Sequence, residues 1–373
     1  MKFRSTVILT LILASGALFS DEKADQDLDV PYEPSHPKVV ETMLSTGGVT
    51  ARDVLYDLGC GDGRIVIAAA KKGASAVGAD VDEERLIEAR ERAKAMGVES
   101  RTKFVREDIF KLDISPATIV TMYLLDEVNL QMRPRLHRLL KPGTRIVTHA
   151  FNMNDWKPDR TINHDRARDK QIMYWVIPAG IGGTWTWQTK QGPASMVLHQ
   201  KFQVITGTIQ NGQSTGAVDS KIDGTKIQIQ TVLRDAKTNA KANFTGLIDA
   251  DTIKGTIEVL EGPGAGKYPW EAKRQVEDVS GKWSIELPGN KALSGTLDLK
   301  RDGKGYSAEF TSDKVYAISD LYVWGSSVYF RVPIFGTENP AIYSGTLKGT
   351  QGSGNLLNDQ GSYGTQWNAK KAK

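Results

Sequence analysis

The chain has little cysteine and little excess charge of either sign, and each shortage excludes a class of protein. Its 373 residues include a single cysteine, Cys60, which excludes an internal disulfide and a cysteine-rich metal site. The 48 basic and 44 acidic residues leave a formal net charge of only +4. That balance argues against a protein held on nucleic acid by phosphate neutralisation. We therefore predict no metal site and no nucleic-acid partner, and the length suggests two or three domains.

The sequence also lacks an apolar run of comfortable membrane-spanning length near its N-terminus, where Thr6–Phe19 is short for that purpose. Lys2 and Arg4 precede this run. Residues 1–20 are therefore predicted to be a signal peptide, with a retained membrane anchor as the alternative, and residues 21–29 an acidic linker. Basic residues before an apolar segment stay in the cytosol. We therefore expect the rest of the chain to be exported (periplasmic) or membrane-anchored rather than cytoplasmic.

Short apolar runs alternate with helical patterns between residues 30 and 178. The run Asp53–Leu58 is apolar almost throughout, as a strand buried on both faces should be. The run Arg64–Gly73 after it is typical of a helix that ends in lysines and a glycine. The other predicted strands are 74–80, 102–108, 117–125 and 144–151, and the other predicted helices are 82–97 and 127–140. This alternation predicts an α/β domain with a doubly wound, Rossmann-like sheet over residues 30–178.

Three glycines at alternate positions, Gly59, Gly61 and Gly63, lie in the turn between the first strand and its helix. Glycines there let the backbone approach a ligand closely. The dinucleotide fingerprint would also need glycine at position 64, which is Arg64, so that phosphate-binding pattern is absent. Asp57, just before the turn, suits a cationic or hydrogen-bond-donating ligand better than a pyrophosphate.

Acidic residues also close the second and third predicted strands. Asp80 stands 21 residues after Gly59, the spacing at which such folds bind a ribose, and Asp108 closes the third strand. Singly, Asp57 could cap a helix, Asp80 could precede a turn and Asp108 could be a surface residue. Together with the glycines, these acids predict one binding site beyond the carboxyl ends of the strands.

The motif DLGCGDG, with acids on the next two strands, resembles the cofactor site of the seven-strand S-adenosylmethionine-dependent methyltransferases. The resemblance implies that the glycine turn passes beneath the methionine part of S-adenosylmethionine. It implies that the acid matching Asp57 lies near the amino group of the cofactor and that Asp80 takes the ribose hydroxyls. It also implies that Asp108, with the adjacent Ile109, lies by the adenine.

Segments outside that motif narrow the resemblance to the lysine methyltransferases related to the ATP synthase c-subunit enzyme. They are PYEPSHPKVVETML (31–44), ATIVTMYLL (117–125) and LKPGTRIVTHAFNMNDWKPD (140–159). The resemblance implies a protein-lysine N-methyltransferase with a protein substrate. A small-molecule methyltransferase and a non-catalytic binding protein that uses the C-terminal region are the alternatives. The Asn/Asp-Pro-Pro-Tyr tetrapeptide of many amino-group methyltransferases is absent, which disfavours the nucleic-acid base methylases.

Candidate catalytic side chains lie past the strand ends. Methyl transfer is an in-line displacement for which the protein mainly supplies position and desolvation. Tyr123 follows the fourth strand, His149 ends the fifth, and Trp156 lies beyond it, while Tyr32 in the entry segment could complete the pocket. Tyr123 is either a wall of the active site or plain core, and His149 is either a base or a group that orients a loop.

After residue 178 the sequence consists of short alternating segments split by Gly, Asn and Asp, which predicts antiparallel β structure. An internal repeat is visible, because Trp185 and Trp270 are matched by tryptophans 98 and 97 residues later. We therefore predict an all-β region of two related units, 179–276 and 277–373, each a small barrel or sandwich, with a lipocalin-like barrel as one form. The matched tryptophans are interpreted as core residues, and His199 as a surface strand residue.

Overall fold

The computed structural model describes residues 32–163, 171–275, 278–302, 305–334, 340–357 and 363–372. The segments predicted as a signal peptide and an acidic linker lie outside these ranges. Among the described residues, no helix is both long and apolar enough to cross a bilayer. Residues from Tyr32 onward pack together as one compact unit.

The first part of the described chain is an α/β domain. Its strands are β1 (Val54–Leu58), β2 (Ser75–Asp80), β3 (Thr102–Arg106), β4 (Ile119–Met122), β5 (Arg145–His149), β6 (Arg160–Asn163) and β7 (Gln171–Val176). Its helices are α1 (Pro37–Thr46), α2 (Arg64–Lys71), α3 (Glu83–Ala95) and α4 (Asp126–Leu139). The sheet order is β3-β2-β1-β4-β5-β7-β6. Strands β1 to β5 run parallel, and β7 is antiparallel to both of its neighbours.

The predicted α/β architecture is confirmed, and each predicted strand and helix of this domain overlaps an observed one. Helix α1 and strands β6 and β7 were not predicted. Pro37 begins α1 because proline suits the first helical turn. The helix buries Val40, Met43 and Leu44 against the rest of the domain.

The predicted all-β region is also confirmed, and its first part is a closed eight-stranded antiparallel barrel. The strands are β8 (Gly183–Thr189), β9 (Gly192–Lys201), β10 (Val204–Asn211), β11 (Ser214–Asp223), β12 (Lys226–Arg234), β13 (Asn239–Asp249), β14 (Thr252–Glu261) and β15 (Gly266–Arg274). Pairing of Lys273 with Thr186 and of Arg274 with Trp185 closes the barrel. Alternate residues point inward, so Leu198 is buried whereas His199 is exposed, as predicted.

The last part is an open nine-stranded antiparallel sheet of order β19-β18-β17-β16-β24-β23-β22-β21-β20. Its strands are β16 (Gly281–Glu286), β17 (Gly295–Asp302), β18 (Gly305–Thr311), β19 (Val315–Ala317), β20 (Ser319–Trp324), β21 (Ser327–Val332), β22 (Ala341–Lys348), β23 (Gln351–Leu357) and β24 (Tyr363–Lys371). The two edge strands are consecutive in the chain and separated only by Ile318. Asp320, near the start of β20, has a left-handed φ of 50°, where the pairing of β20 with β21 shifts register.

A buried charge network joins the α/β domain to the open sheet. The Arg133 side chain in α4, 1% exposed, forms ion pairs with Asp155 and with Asp320 of β20. Arg331 of β21 pairs with the same two aspartates, and Lys201 of the barrel also pairs with Asp155. Because removing one partner would leave uncompensated buried charge, the network fixes α4 against the β region.

An aromatic cluster adjoins this network. The rings of His137, Trp156, Phe202 and Tyr322 contact one another with centroids 4.2 to 6.2 Å apart. These side chains come from α4, the loop after β5, the barrel and the open sheet. The α/β domain therefore shares part of its core with the all-β region.

Candidate active site at the carboxyl ends of the strands

The parallel strands bring most of the predicted site residues to one edge of the sheet. Across that edge the strand order places Asp108 after β3, Asp80 at the end of β2, the turn 59–63 after β1, Tyr123 after β4 and His149 at the end of β5. From β1 the chain adds β2 and β3 on one side and then β4 and β5 on the other. Ligands of open α/β sheets bind at such switch points in the strand order, here between β1 and β4.

The turn between β1 and α2 depends on glycine for both conformation and space. Gly59, Gly61 and Gly63 have φ values of 74°, 49° and 72°, a region that residues with a Cβ rarely adopt. A Cβ added to Gly61 would lie 2.5 Å from Cε2 of Tyr32, and one added to Gly59 would lie 2.8 Å from Cδ2 of Leu124. The turn therefore runs close beneath side chains from two other segments, and of its three glycines only Gly59 is exposed.

Asp57 is a buried carboxyl group beneath the turn. Asp57 is 2% exposed, and the Thr121 hydroxyl on β4 donates a hydrogen bond of 2.7 Å to Oδ1 of Asp57. Burial raises the pKa of Asp57 to about 7, with the charges of Asp80 and Asp62 acting in the same direction and the Thr121 hydrogen bond opposing them. A cation bound next to Asp57 would therefore stabilise the ionised form of this carboxyl group.

Asp80 holds the glycine turn in place. Its Oδ2 accepts a hydrogen bond of 2.8 Å from the Gly61 N–H, and its Oδ1 accepts one of 3.0 Å from the Asp82 N–H. At the next strand end, Asp108 accepts a hydrogen bond of 2.8 Å from the Phe110 N–H. That bond lowers the pKa of Asp108, and Ile109 beside it is half-buried.

Tyr123 and His149 form an aromatic pair on neighbouring strand ends. Their ring centroids are 4.0 Å apart, and Phe151 stacks on Tyr123 at 5.9 Å. His149 is 4% exposed, and its Nδ1 lies 2.9 Å from Oγ of Ser35. The histidine ring is thus held in one orientation next to the tyrosine.

The entry segment 32–36 runs across the site from Gly61 to His149. Tyr32 lies over Gly61, and the Arg85 guanidinium lies 4.1 Å from its ring centroid. The Ser35 carbonyl oxygen accepts a hydrogen bond of 2.7 Å from Nη1 of Arg64. Tyr32 was predicted at the pocket from the sequence, but Ser35 was missed, although the motif PYEPS already contained it.

Asp62, the second acid of the motif DLGCGDG, was also missed. Asp62 accepts hydrogen bonds from Nη2 of Arg64 and Nη1 of Arg92, both of 2.6 Å. Burial favours the neutral acid, but these hydrogen bonds and the two charges lower the pKa of Asp62 to about 2. Asp62 therefore stays ionised and ties the glycine turn to α2 and α3.

The structure does not bring Trp156 into the site, so its assignment as a catalytic residue is corrected. Trp156 is 0% exposed, and its Nε1 donates a hydrogen bond of 2.9 Å to Oε1 of Gln203 in the barrel. A side chain with no exposed surface and a satisfied donor cannot touch a substrate. Trp156 instead packs the aromatic cluster between the α/β domain and the all-β region.

Comparison with known proteins places this site in a family. Residues 57–160 match the profile of the ANTKMT methyltransferase domain. The chain is 44% identical over 150 residues to a protein-lysine N-methyltransferase from Saccharolobus islandicus. The matched segment covers 40% of this chain and 93% of that protein. It is 35% identical over 130 residues to the human lysine N-methyltransferase of the ATP synthase c-subunit. That match covers 35% of this chain and 55% of that protein.

Among solved structures, the chain is similar to one described as an RNA methyltransferase from Salinibacter ruber in complex with S-adenosyl-L-homocysteine. The sequence identity is 45%, the match covers 40% of this chain and 96% of that one, and the TM-score is 0.38. The sequence relationships confirm the resemblance that the glycine turn and its flanking segments carried. The chain therefore belongs to the family of S-adenosylmethionine-dependent methyltransferases that contain the ANTKMT methyltransferase domain, and its cofactor is S-adenosylmethionine.

Proposed function

We propose that this enzyme transfers a methyl group from S-adenosylmethionine to the side-chain amine of a lysine in a protein. The observation that carries the proposal is the edge of the sheet on which a bare glycine turn, a buried carboxyl group and the Tyr123–His149 pair meet. The 44% identity to a protein-lysine N-methyltransferase over most of that protein supports a protein acceptor.

The residues at this edge fit the chemistry of the cofactor. Gly59, Gly61 and Gly63 carry no side chain, and an added Cβ would collide with the chain's own side chains. Gly59 is exposed, so a ligand can approach the backbone there. The buried carboxyl group of Asp57 would pair with the amino group of the cofactor. Asp80 would offer its remaining carboxylate lone pairs to the ribose hydroxyls. Asp108 and Ile109 would lie by the adenine.

The protein's own contribution to methyl transfer is position and exclusion of water. When bound, S-adenosylmethionine supplies a methyl group on a sulfonium that is already a good leaving group. The paired rings of Tyr123 and His149 would form the wall against which the lysine amine is desolvated. Burial lowers the pKa of an amine, and a lysine must lose its proton before it can accept a methyl group.

The fixed orientation of His149 favours a positioning role. The contact between Ser35 Oγ and His149 Nδ1 at 2.9 Å holds the ring beside Tyr123. Ala150, directly after it, has a left-handed φ of 62°, which turns the chain sharply at the end of β5. These features keep the wall rigid, as an in-line displacement requires.

We infer further that the two β units are related by an internal repeat. Trp185 and Trp283 are both 0% exposed, and each indole N–H donates to the carbonyl of the residue four positions earlier, at 2.7 and 2.8 Å. A cation from the last strand of the unit lies over each ring: Arg274 at 4.4 Å and Lys371 at 5.4 Å. The split strand β19–β20 would then correspond to β11 of the barrel.

We also propose that the N-terminal segment exports the enzyme or anchors it to a membrane with the catalytic region outside the cytoplasm. Lys2 and Arg4 precede the apolar run Thr6–Phe19, and an acidic stretch follows it. A reporter that is active only in the cytosol, fused after Lys373, tests this. An inactive reporter supports the proposal, and an active one rules out export of the catalytic region.

The acceptor class is tested by incubating the full chain with methyl-labelled S-adenosylmethionine and a cell lysate, then separating protein, RNA and small molecules. We expect label in the protein fraction and, after mass spectrometry, on lysine Nζ. Tyr123→Ala should lose this activity, whereas the exposed control Ile87→Ala should keep it, since Ile87 is 49% exposed on α3. Label that appears only in RNA or in small molecules would refute the lysine acceptor.

A further inference from the structure

We infer that the closed barrel binds an apolar small molecule that carries a neutral hydrogen-bond acceptor, in a cavity at one of its two mouths. The cavity has a volume of about 910 Å³, which lies within the range of small-molecule sites, roughly 300–1,000 Å³. Its residues belong to the barrel alone and play no part in the proposed methyl transfer.

The cavity has apolar walls and a polar rim. Its walls include Trp187 and Phe244 with the aliphatic Val259. Lys190 and Asp235 lie at the rim, in the turn after β8 and after the end of β12. Mostly apolar walls with a few polar groups are typical of sites for small organic ligands.

The opposite end of the barrel is closed. The ring of Trp185 lies there, with its Nε1 bonded to the Ile181 carbonyl oxygen and the Arg274 guanidinium 4.4 Å from its centroid. Nη1 of Arg274 also donates a hydrogen bond of 2.6 Å to the Gly182 carbonyl oxygen. A ligand would therefore enter through the mouth beside Lys190 and remain at that end.

Two buried indole groups, one on the cavity wall and one packed against it, lack an acceptor within the described part of the chain. Trp187 lines the cavity and is 6% exposed, and Trp270, 2% exposed, contacts it edge-on at 6.0 Å. Neither Nε1 has a hydrogen-bond partner among the described residues, and the same holds for Trp367, the counterpart of Trp270 in the second unit. The inference therefore rests on Trp187, which lines the cavity. Because an indole nitrogen only donates, the partner it lacks is an acceptor, and a neutral oxygen costs less to bury than a charged one.

The second β unit shows how the corresponding end of such a unit is covered. There the connection between β16 and β17 contains a 3-10 turn, Lys291–Leu293, which buries Leu287 and Leu293 in the core. The Tyr343 hydroxyl donates a hydrogen bond of 2.6 Å to the Leu293 carbonyl oxygen. In the barrel a tight turn at residues 190–191 replaces this connection, and the mouth stays open.

The inference is tested with the full chain and the neutral fluorophore N-phenyl-1-naphthylamine. We expect saturable binding by the wild type and at least a tenfold loss in Ala240→Phe, which fills the cavity from its wall. The matched control Val197→Phe, on the outer face of β9 where Val197 is 36% exposed, should bind like the wild type. All three proteins keep the apolar N-terminal segment, so any dye bound there cancels in the comparison. Equal binding by all three folded proteins, or no saturable binding, would overturn the inference.

The acceptor is tested by displacing the fluorophore with dodecane or with methyl decyl ketone. The ketone should compete about fivefold better than the alkane, as one net hydrogen bond provides. Trp187→Phe keeps an aromatic ring but removes the N–H, so it should reduce this preference. If Ala240→Phe fails to fold, the inference is judged on the displacement experiment alone. An equal preference for the ketone in the wild type and in Trp187→Phe would overturn the assignment of the acceptor.

Discussion

Replacing Asp57 by asparagine should make the free energy of unfolding less dependent on pH. The pKa of this carboxyl group rises from its ordinary value of 3.8 to about 7 because it is buried. The folded protein therefore holds the proton more tightly than the unfolded chain does. The resulting stabilisation is fully present below the unfolded pKa and is lost as the pH rises through about 7. Raising the pKa from 3.8 to about 7 stabilises the fold by roughly 4 kcal/mol at low pH, and all of this is lost once the group is ionised in both states.

The assay is guanidinium unfolding of the wild type and Asp57→Asn at about pH 5 and about pH 8. Asparagine has nearly the same shape and can still accept the Thr121 hydrogen bond, but it does not titrate. The stability of the variant relative to the wild type should rise by about 2.5 kcal/mol between the two pH values. Other titrating groups are common to both proteins and cancel in this difference.

Two results would refute the reasoning. A variant that differs from the wild type by the same amount at both pH values would mean that Asp57 titrates near its ordinary pKa. A variant whose stability falls relative to the wild type as the pH rises would contradict a raised pKa. Calorimetry gives a parallel check, since the wild type should bind the cofactor more weakly as the pH falls below about 7, whereas the weaker binding of the variant should not change with pH.

Three further substitutions test other parts of the account. Asp80→Asn should weaken cofactor binding by roughly 10- to 100-fold through the loss of charge-assisted hydrogen bonds, and an unchanged dissociation constant in calorimetry would remove Asp80 from the site. Arg133→Met should lower the free energy of unfolding by about 3–5 kcal/mol because two buried aspartates each lose one of their cationic partners, whereas Arg90→Met, in an exposed pair with Glu83 2.7 Å away, should cost less than about 1 kcal/mol. Ser35→Ala should lower kcat while leaving cofactor affinity unchanged, if the Ser35 contact only positions His149, and a loss confined to cofactor affinity would contradict that role.

The elements that the sequence predicted are those whose signals are local. The run Asp53–Leu58 predicts a buried strand from its own residues, and the glycines that follow predict the turn from their spacing. Asp80 and Asp108 could be placed beside that turn because parallel strands end at a common edge of the sheet. The alternation of apolar and polar residues likewise predicted the β character of the C-terminal region.

What the sequence did not predict depends on partners far away in the chain. Closure of the barrel pairs Trp185 with Arg274, and the charge network pairs Arg133 with Asp320. No local pattern marks either pairing. Trp156 was misassigned for the same reason, because its neighbour Gln203 comes from a region that its own motif does not contain. A tryptophan after a strand end has the same local sequence whether it lines a pocket or packs a core.

The central claim is that the turn between β1 and α2 holds the cofactor of a working methyltransferase. Titration of S-adenosylhomocysteine into the full chain by calorimetry tests it most directly, with Gly61→Val and a matched control, Gly97→Val. Both glycines have left-handed φ values, 49° and 67°, but an added Cβ meets Tyr32 at Gly61 and nothing within 4 Å at Gly97. We expect one molecule bound per chain in the wild type and in Gly97→Val, and no measurable binding in Gly61→Val. No binding by the wild type, or equal binding by both variants, would contradict the account.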